Sequence, residues 1–94
     1  MAKDRISVGI VQTTPAFGDL EAGLGIVEER VRDAAAAGCE LVTMGETFLP
    51  GYPVWLDTSP AAALWDHPPV KAAFARMRRN AVVVGSASTE RLGS

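Results

Sequence analysis

The amino-acid sequence predicts an α/β chain that begins with a strand–helix–strand unit. Three observations carry this. Ile6, Val8 and Ile10 alternate with Ser7 and Gly9, the period of a strand. Leu20, Leu24, Val27, Val31 and Ala34 then recur at helical spacing, with Glu28, Glu29, Arg30, Arg32 and Asp33 on the other faces. Leu41-Val42-Thr43-Met44 follows as a short apolar run, read as a buried strand.

Taken in order, the first strand ends at Gln12-Thr13-Thr14-Pro15, because proline brings no N–H to a ladder. Asp19 stands where a helix N-cap belongs, and Glu21 faces the positive end of the helix dipole. Gly38 can take the left-handed conformation that closes a helix. Connections of this length suit a βαβ unit, whose right-handed crossover lays both strands parallel with the helix on one face. Functional groups in such sheets gather beyond the carboxyl ends of the strands. Gln12 to Pro15 and Gly45 to Pro53 therefore belong at one rim.

Residues 45–60, rich in Pro, Gly and aromatics, read as a loop. Ala61 to Trp65 can form one helical turn, which Asp66-His67-Pro68-Pro69 breaks before a second long helix begins, proline being tolerated at its first positions. Val70, Phe74 and Met77 continue that helix to about Arg79. Ala81-Val82-Val83-Val84 is β-prone, and Ser88-Thr89-Glu90 resembles a further helix start. No internal repeat or low-complexity tract is present. Two parallel strands leave both sheet edges and one face uncovered, whereas parallel sheets normally bury both faces. The expected architecture is incomplete.

Composition narrows the class. With 94 residues the chain makes one domain or less. A net charge of −2 and 21% charged residues give no basic face for nucleic acid. The basic cluster Arg76, Arg78 and Arg79 reads as a solvated helix face. No apolar run is long enough to span a bilayer, and no apolar segment of a secretory signal follows the first charges. The single cysteine, Cys39, precludes an internal disulfide and fits a reducing, cytoplasmic setting.

The chemistry concentrates in Gly45-Glu46-Thr47-Phe48-Leu49-Pro50-Gly51-Tyr52-Pro53, followed by Val54-Trp55-Leu56-Asp57. A carboxylate directly after a strand meets a loop of prolines and aromatics able to exclude water. Desolvation there would make Glu46 a better base near neutral pH. Spacing alone leaves open that Glu46 merely caps a helix or loop.

The residues go further. Glu46 to Pro53 resembles the nitrilase motif Glu-Thr-Trp-Leu-Pro-Gly-Tyr-Pro, with Phe48 at the tryptophan position and Met44-Gly45 where many relatives have Phe-Pro. Val8 to Pro15 is similar to the family's first strand with its Val-Gln-Ala-Ala-Pro-type ending. Ala35 to Val42 is similar to the helix–glycine–strand step before the motif. The resemblance runs in register over nearly the whole chain, best from Ile6 to Asp57. The Pro-Gly-Tyr-Pro run leans towards true nitrilases rather than amidases or carbamoylases.

The resemblance implies the N-terminal βαβ portion of an α-β-β-α sandwich and a Glu-Lys-Cys triad. In that scheme a cysteine thiolate attacks the nitrile carbon, the glutamate takes the thiol proton and later activates water, and a lysine stabilises the developing charge. A small-molecule nitrile becomes a carboxylic acid and ammonia, with no cofactor and no metal. Glu46 matches the first triad position as proton acceptor. Tyr52 and Trp55 are candidate substrate-binding residues, although they and Trp65 could equally anchor a loop over the core. Cys39 lies at the opposite end of the second strand, on the order of 20 Å from Glu46 at ~3.3 Å per residue, and reads as a packing residue. Lys3 precedes the first strand and Lys71 comes too early to match the family's lysine. The chain alone is therefore expected to be inactive.

Other patterns have plainer readings. Gly23-Leu24-Gly25 falls inside a helix, not between strand and helix as a phosphate-binding turn requires. His67, the only histidine, reads as a loop or cap residue, since one histidine cannot complete a zinc site. Two alternatives to an enzyme segment stand. One is an interaction module that self-associates or pairs its open sheet edge with a missing downstream segment. The other is a truncation or frameshift product.

Overall fold

A computed structural model describes residues 4–53 and 66–93. Among them β1 (Val8–Ile10), α1 (Leu20–Ala36), β2 (Leu41–Thr43), α2 (Pro68–Arg79) and α3 (Ala87–Gly93) follow in order. β1 and β2 pair in parallel with Val8 opposite Leu41, Gly9 opposite Val42 and Ile10 opposite Thr43. The expected βαβ unit is present. Among the described residues these elements make one two-stranded parallel sheet with helices, and they do not amount to the sandwich that the resemblance implies.

Local chemistry places α1 closely. The Asp19 carboxylate accepts from the Ala22 N–H at 3.0 Å, filling one of the four donors a helix start leaves unpaired. At the other end Gly38 adopts φ +87. Its N–H donates to Ala35 O and the Cys39 N–H to Ala34 O, both at 3.0 Å, a Schellman closure. α2 starts at Pro68 with His67 in the N-cap position, where the imidazole makes no capping bond. Its Nδ1 is buried without a hydrogen-bond partner.

The later helices are tied back to α1. The Asn80 side chain accepts from the Leu20 N–H at 3.0 Å, and Arg76 Nε donates to Gly18 O at 3.2 Å. Arg76, Arg78 and Arg79 are all exposed, so the expected solvated face stands, with Arg76 also reaching back to the turn before α1. On α3, Arg91 bonds Glu28 and Glu21 of α1, each at 2.7 Å. The Glu28 bond holds that carboxyl below its ordinary value, with Arg91 and Arg32 charges adding to the effect and partial burial opposing it.

Packing is thin. Leu24, 2% exposed, is the one large side chain fully buried among the described residues. The sheet packs one face on α1: a Cβ on Gly9 would meet Cys39 Sγ at 3.0 Å and Ala34 Cβ at 3.4 Å. Among the described residues no helix covers the opposite face, so β2 is not the buried strand its apolar run suggested, and Leu41 is 53% exposed. Ala81–Val84 also departs from expectation, forming no strand. Strand propensity needs a neighbour to pair with, and here Ala81 N–H turns back to Arg78 O while Ser86 N–H turns back to Val83 O. Val84 is left 92% exposed.

Candidate active site

The parallel strands bring the two sequence segments to one rim, as the βαβ reading requires. The Val11 N–H donates to Thr43 O at 2.8 Å, carrying the ladder one step past β1. Beyond it lies an open groove of about 410 Å³. Gln12, Thr13 and Pro15 line it from the first strand's end, and Glu46, Phe48 and Tyr52 from the second. Its lining is largely apolar, with one carboxylate, one amide and the hydroxyl-bearing side chains of Thr13, Thr47 and Tyr52 among the polar groups.

The Glu46 loop is held by its own turn and by three approaches to the start of α1. Gly51 N–H donates to Thr47 O at 2.8 Å, and Gly18 N–H donates to Pro50 O at 3.2 Å. Gly51, at φ +85, lies so close to Phe17 that a Cβ would fall 2.5 Å from its Cδ2. At Gly23 the absent side chain lets Leu49 O approach to where a Cβ would be 3.3 Å away. Gly23 therefore has a packing role, whereas a Cβ on Gly25 would meet nothing within 4 Å, and Gly23-Leu24-Gly25 sits inside the helix, as its position implied.

Thr47 carries the backbone irregularity of the site. It adopts φ +58, a left-handed conformation that β-branched residues rarely take, and its hydroxyl donates to Glu46 O at 2.6 Å. Such strain is often found beside reacting groups, where surrounding contacts hold it in place. Nothing in the neighbouring residues points to this conformation.

One expectation is corrected here. Glu46 is exposed, so the described loop residues do not provide the dry surroundings anticipated for it. Tyr52 is 49% exposed at the groove, while Trp55 and Trp65 lie outside the described residues, as does the turn expected at Ala61–Trp65. Cys39 precedes β2, packed against Gly9 and away from the Glu46 groove. Lys71 is paired with Asp66 at 2.8 Å on the opening turn of α2. Lys3 lies outside the described residues. Among the described residues no three His, Cys, Asp or Glu side chains gather as metal ligands, and no helix is long and apolar enough to cross a membrane.

Known proteins share sequence with this chain. The chain is 35% identical to a nitrilase of Pseudomonas syringae pv. syringae (strain B728a) over 92 residues, 96% of this chain and 25% of that enzyme. It is 36% identical to a cyanide hydratase of Alternaria brassicicola over 56 residues, 60% of this chain and 15% of that protein. An arylacetonitrilase of Aspergillus niger is 38% identical over 56 residues, again 60% of this chain and 17% of that protein. The chain thus spans a quarter or less of the curated relatives it matches. No solved structure matches it. The family model described as carbon-nitrogen hydrolase matches residues 7–92, taking in both strands, the Glu46 loop and α2, and by that match the chain belongs to the carbon-nitrogen hydrolase family.

Proposed function

We propose that this chain forms the N-terminal segment of a nitrilase-type hydrolase, converting a nitrile to a carboxylic acid and ammonia, with Glu46 as general base. The observation that carries this is the position of Glu46: directly after β2, at the carboxyl rim, in a groove shared with Gln12 and Thr13. In this reading the glutamate accepts the proton of a cysteine thiol as it attacks the nitrile carbon to give a thioimidate; a first water then adds to that carbon, and the glutamate passes protons to the nitrogen so that ammonia leaves and a thioester remains. The same carboxylate next takes a proton from water as it attacks the resulting thioester. Tyr52 and Trp55 wall the substrate.

The thiol and the charge-stabilising lysine come from outside these 94 residues, because Cys39 and Lys71 lie elsewhere in the fold. Residues contributed there also dry the exposed Glu46. The reaction belongs in a reducing, cytoplasmic setting, where such a thiol stays free.

Fragment complementation tests this reading. The purified chain is mixed with a polypeptide carrying the part of the Pseudomonas nitrilase beyond its matched segment, and ammonia is assayed with an aliphatic and an aromatic nitrile. Ammonia is expected only when both polypeptides are present. Turnover by the chain alone contradicts the division of the triad between segments.

A further inference from the structure

Glu46 follows β2 after Met44 and Gly45, and neither burial nor that glycine fixes its direction. Glu46 is exposed, and a Cβ on Gly45 would meet nothing within 4 Å. A glycine in open space leaves the backbone free to turn on the strand side of the carboxylate. On the far side stands Thr47, at φ +58 the one non-glycine residue of positive φ among the described residues. A β-branched residue is a poor choice for that conformation, which glycine or asparagine takes at less cost. Thr47 is itself exposed, so packing does not account for it. What threonine brings is a hydroxyl, which donates to Glu46 O at 2.6 Å. Its own carbonyl accepts from the Gly51 N–H at 2.8 Å. The peptide planes on both sides of Thr47 are therefore held, one by the hydroxyl and one by the turn whose Gly51 rests on Phe17.

We propose that Thr47 is a positioning residue that aims the Glu46 carboxylate through its hydroxyl. By holding the Glu46 carbonyl, the hydroxyl sets the Glu46–Thr47 peptide plane. That plane in turn sets the direction in which the Glu46 side chain leaves the backbone at the groove shared with Gln12 and Tyr52. Strained residues persist beside reacting groups where the surroundings hold them and the aim they give is used. A general base misplaced by a fraction of its reach loses rate steeply, whereas substrate binding does not depend on that aim. The inference rests on the reading of Glu46 as general base and adds to it the group that holds the base in place.

The test uses the chain mixed with the downstream Pseudomonas nitrilase polypeptide, with ammonia release as the readout. Thr47→Ala removes the hydroxyl and keeps a Cβ, while Thr47→Gly removes the hydroxyl and takes positive φ freely. Each should lower kcat about tenfold or more with KM within about twofold. Thr47→Ser, which keeps the hydroxyl, should restore most of the rate. Added to Glu46→Gln, neither Ala nor Gly should cost anything further, because the hydroxyl acts only through that carboxylate. In the 94-residue chain alone, the amide order parameter at position 47 should be about 0.85 and fall towards about 0.6 in Thr47→Ala. A full rate in Thr47→Gly shows that backbone conformation suffices and overturns the role of the hydroxyl. The same follows from an undiminished further loss on top of Glu46→Gln, or from an order parameter unchanged in Thr47→Ala. A silent Glu46→Gln is a different failure: it removes the base itself, and the positioning role goes with it.

Discussion

Two glycines with nearly the same backbone angle allow the seating of the Glu46 loop to be weighed. Gly38 is at φ +87 with nothing within 4 Å of where its Cβ would stand. Gly51 is at φ +85, and there a Cβ would lie 2.5 Å from Phe17 Cδ2 and 3.3 Å from Phe17 Cα. Gly38→Ala meets only the left-handed penalty and should cost about 1–2 kcal/mol. Gly51→Ala meets the same penalty plus a collision. The Phe17 ring, 43% exposed, has room to swing aside. Its Cα does not, because the next residue, Gly18, donates to Pro50 O. The loop must therefore shift, adding about 1–3 kcal/mol of overpacking for a total of about 2–5 kcal/mol. Urea transitions followed by circular dichroism measure both variants, and unchanged slopes ensure that the midpoints report stability. Hydrogen exchange at the Gly18 amide should quicken in Gly51→Ala and hold in Gly38→Ala. Equal losses, or an unchanged Gly18 amide in Gly51→Ala, would refute the seating of this loop on the start of α1.

Three further outcomes are expected. Leu24→Ala, at the one fully buried large side chain described, should cost about 2–5 kcal/mol, read as a lower urea midpoint; a loss under about 1 kcal/mol would mean that the core lies elsewhere. Thr47→Gly should stabilise the chain by up to about 1 kcal/mol by relieving the φ +58 strain, and a lower thermal midpoint would show that the hydroxyl bond to Glu46 O outweighs that relief. Because its bond to Arg91 lowers the folded-state pKa of Glu28, the α1–α3 contact it supports is complete above the ordinary value of 4.5. It weakens as pH falls through the lowered folded value. NMR shifts of Arg91 Nε should report that loss, Arg91→Gln should remove it, and a titration identical in both chains would count against the clasp.

What was legible in the sequence was what local chemistry decides. Asp19 and Gly38 each act on atoms within a few residues, so both ends of α1 could be read directly. The position of Glu46 followed because two parallel strands must end on the same side. The contacts of Asn80, Arg76 and Arg91 were not legible, since they join residues 60, 58 and 63 or more positions apart and depend on how the helices dock. Ala81–Val84 misled for the same reason: its valines favour a strand, but a strand exists only beside a partner. The hydration of Glu46 likewise depends on what covers the groove, which its neighbours in sequence do not decide. Thr47 had no sign at all, as a β-branched residue is the least expected occupant of the left-handed region.

The central claim is that Glu46 serves a thiol supplied from beyond these residues, and its side chain can be tested in the complemented enzyme. Glu46→Gln keeps size and the local turn while removing the base. Ammonia release from a nitrile should then fall by about 10²-fold or more, with association of the two polypeptides unchanged. Release within about threefold of the unsubstituted pair, a difference of under 1 kcal/mol in barrier, would contradict the account.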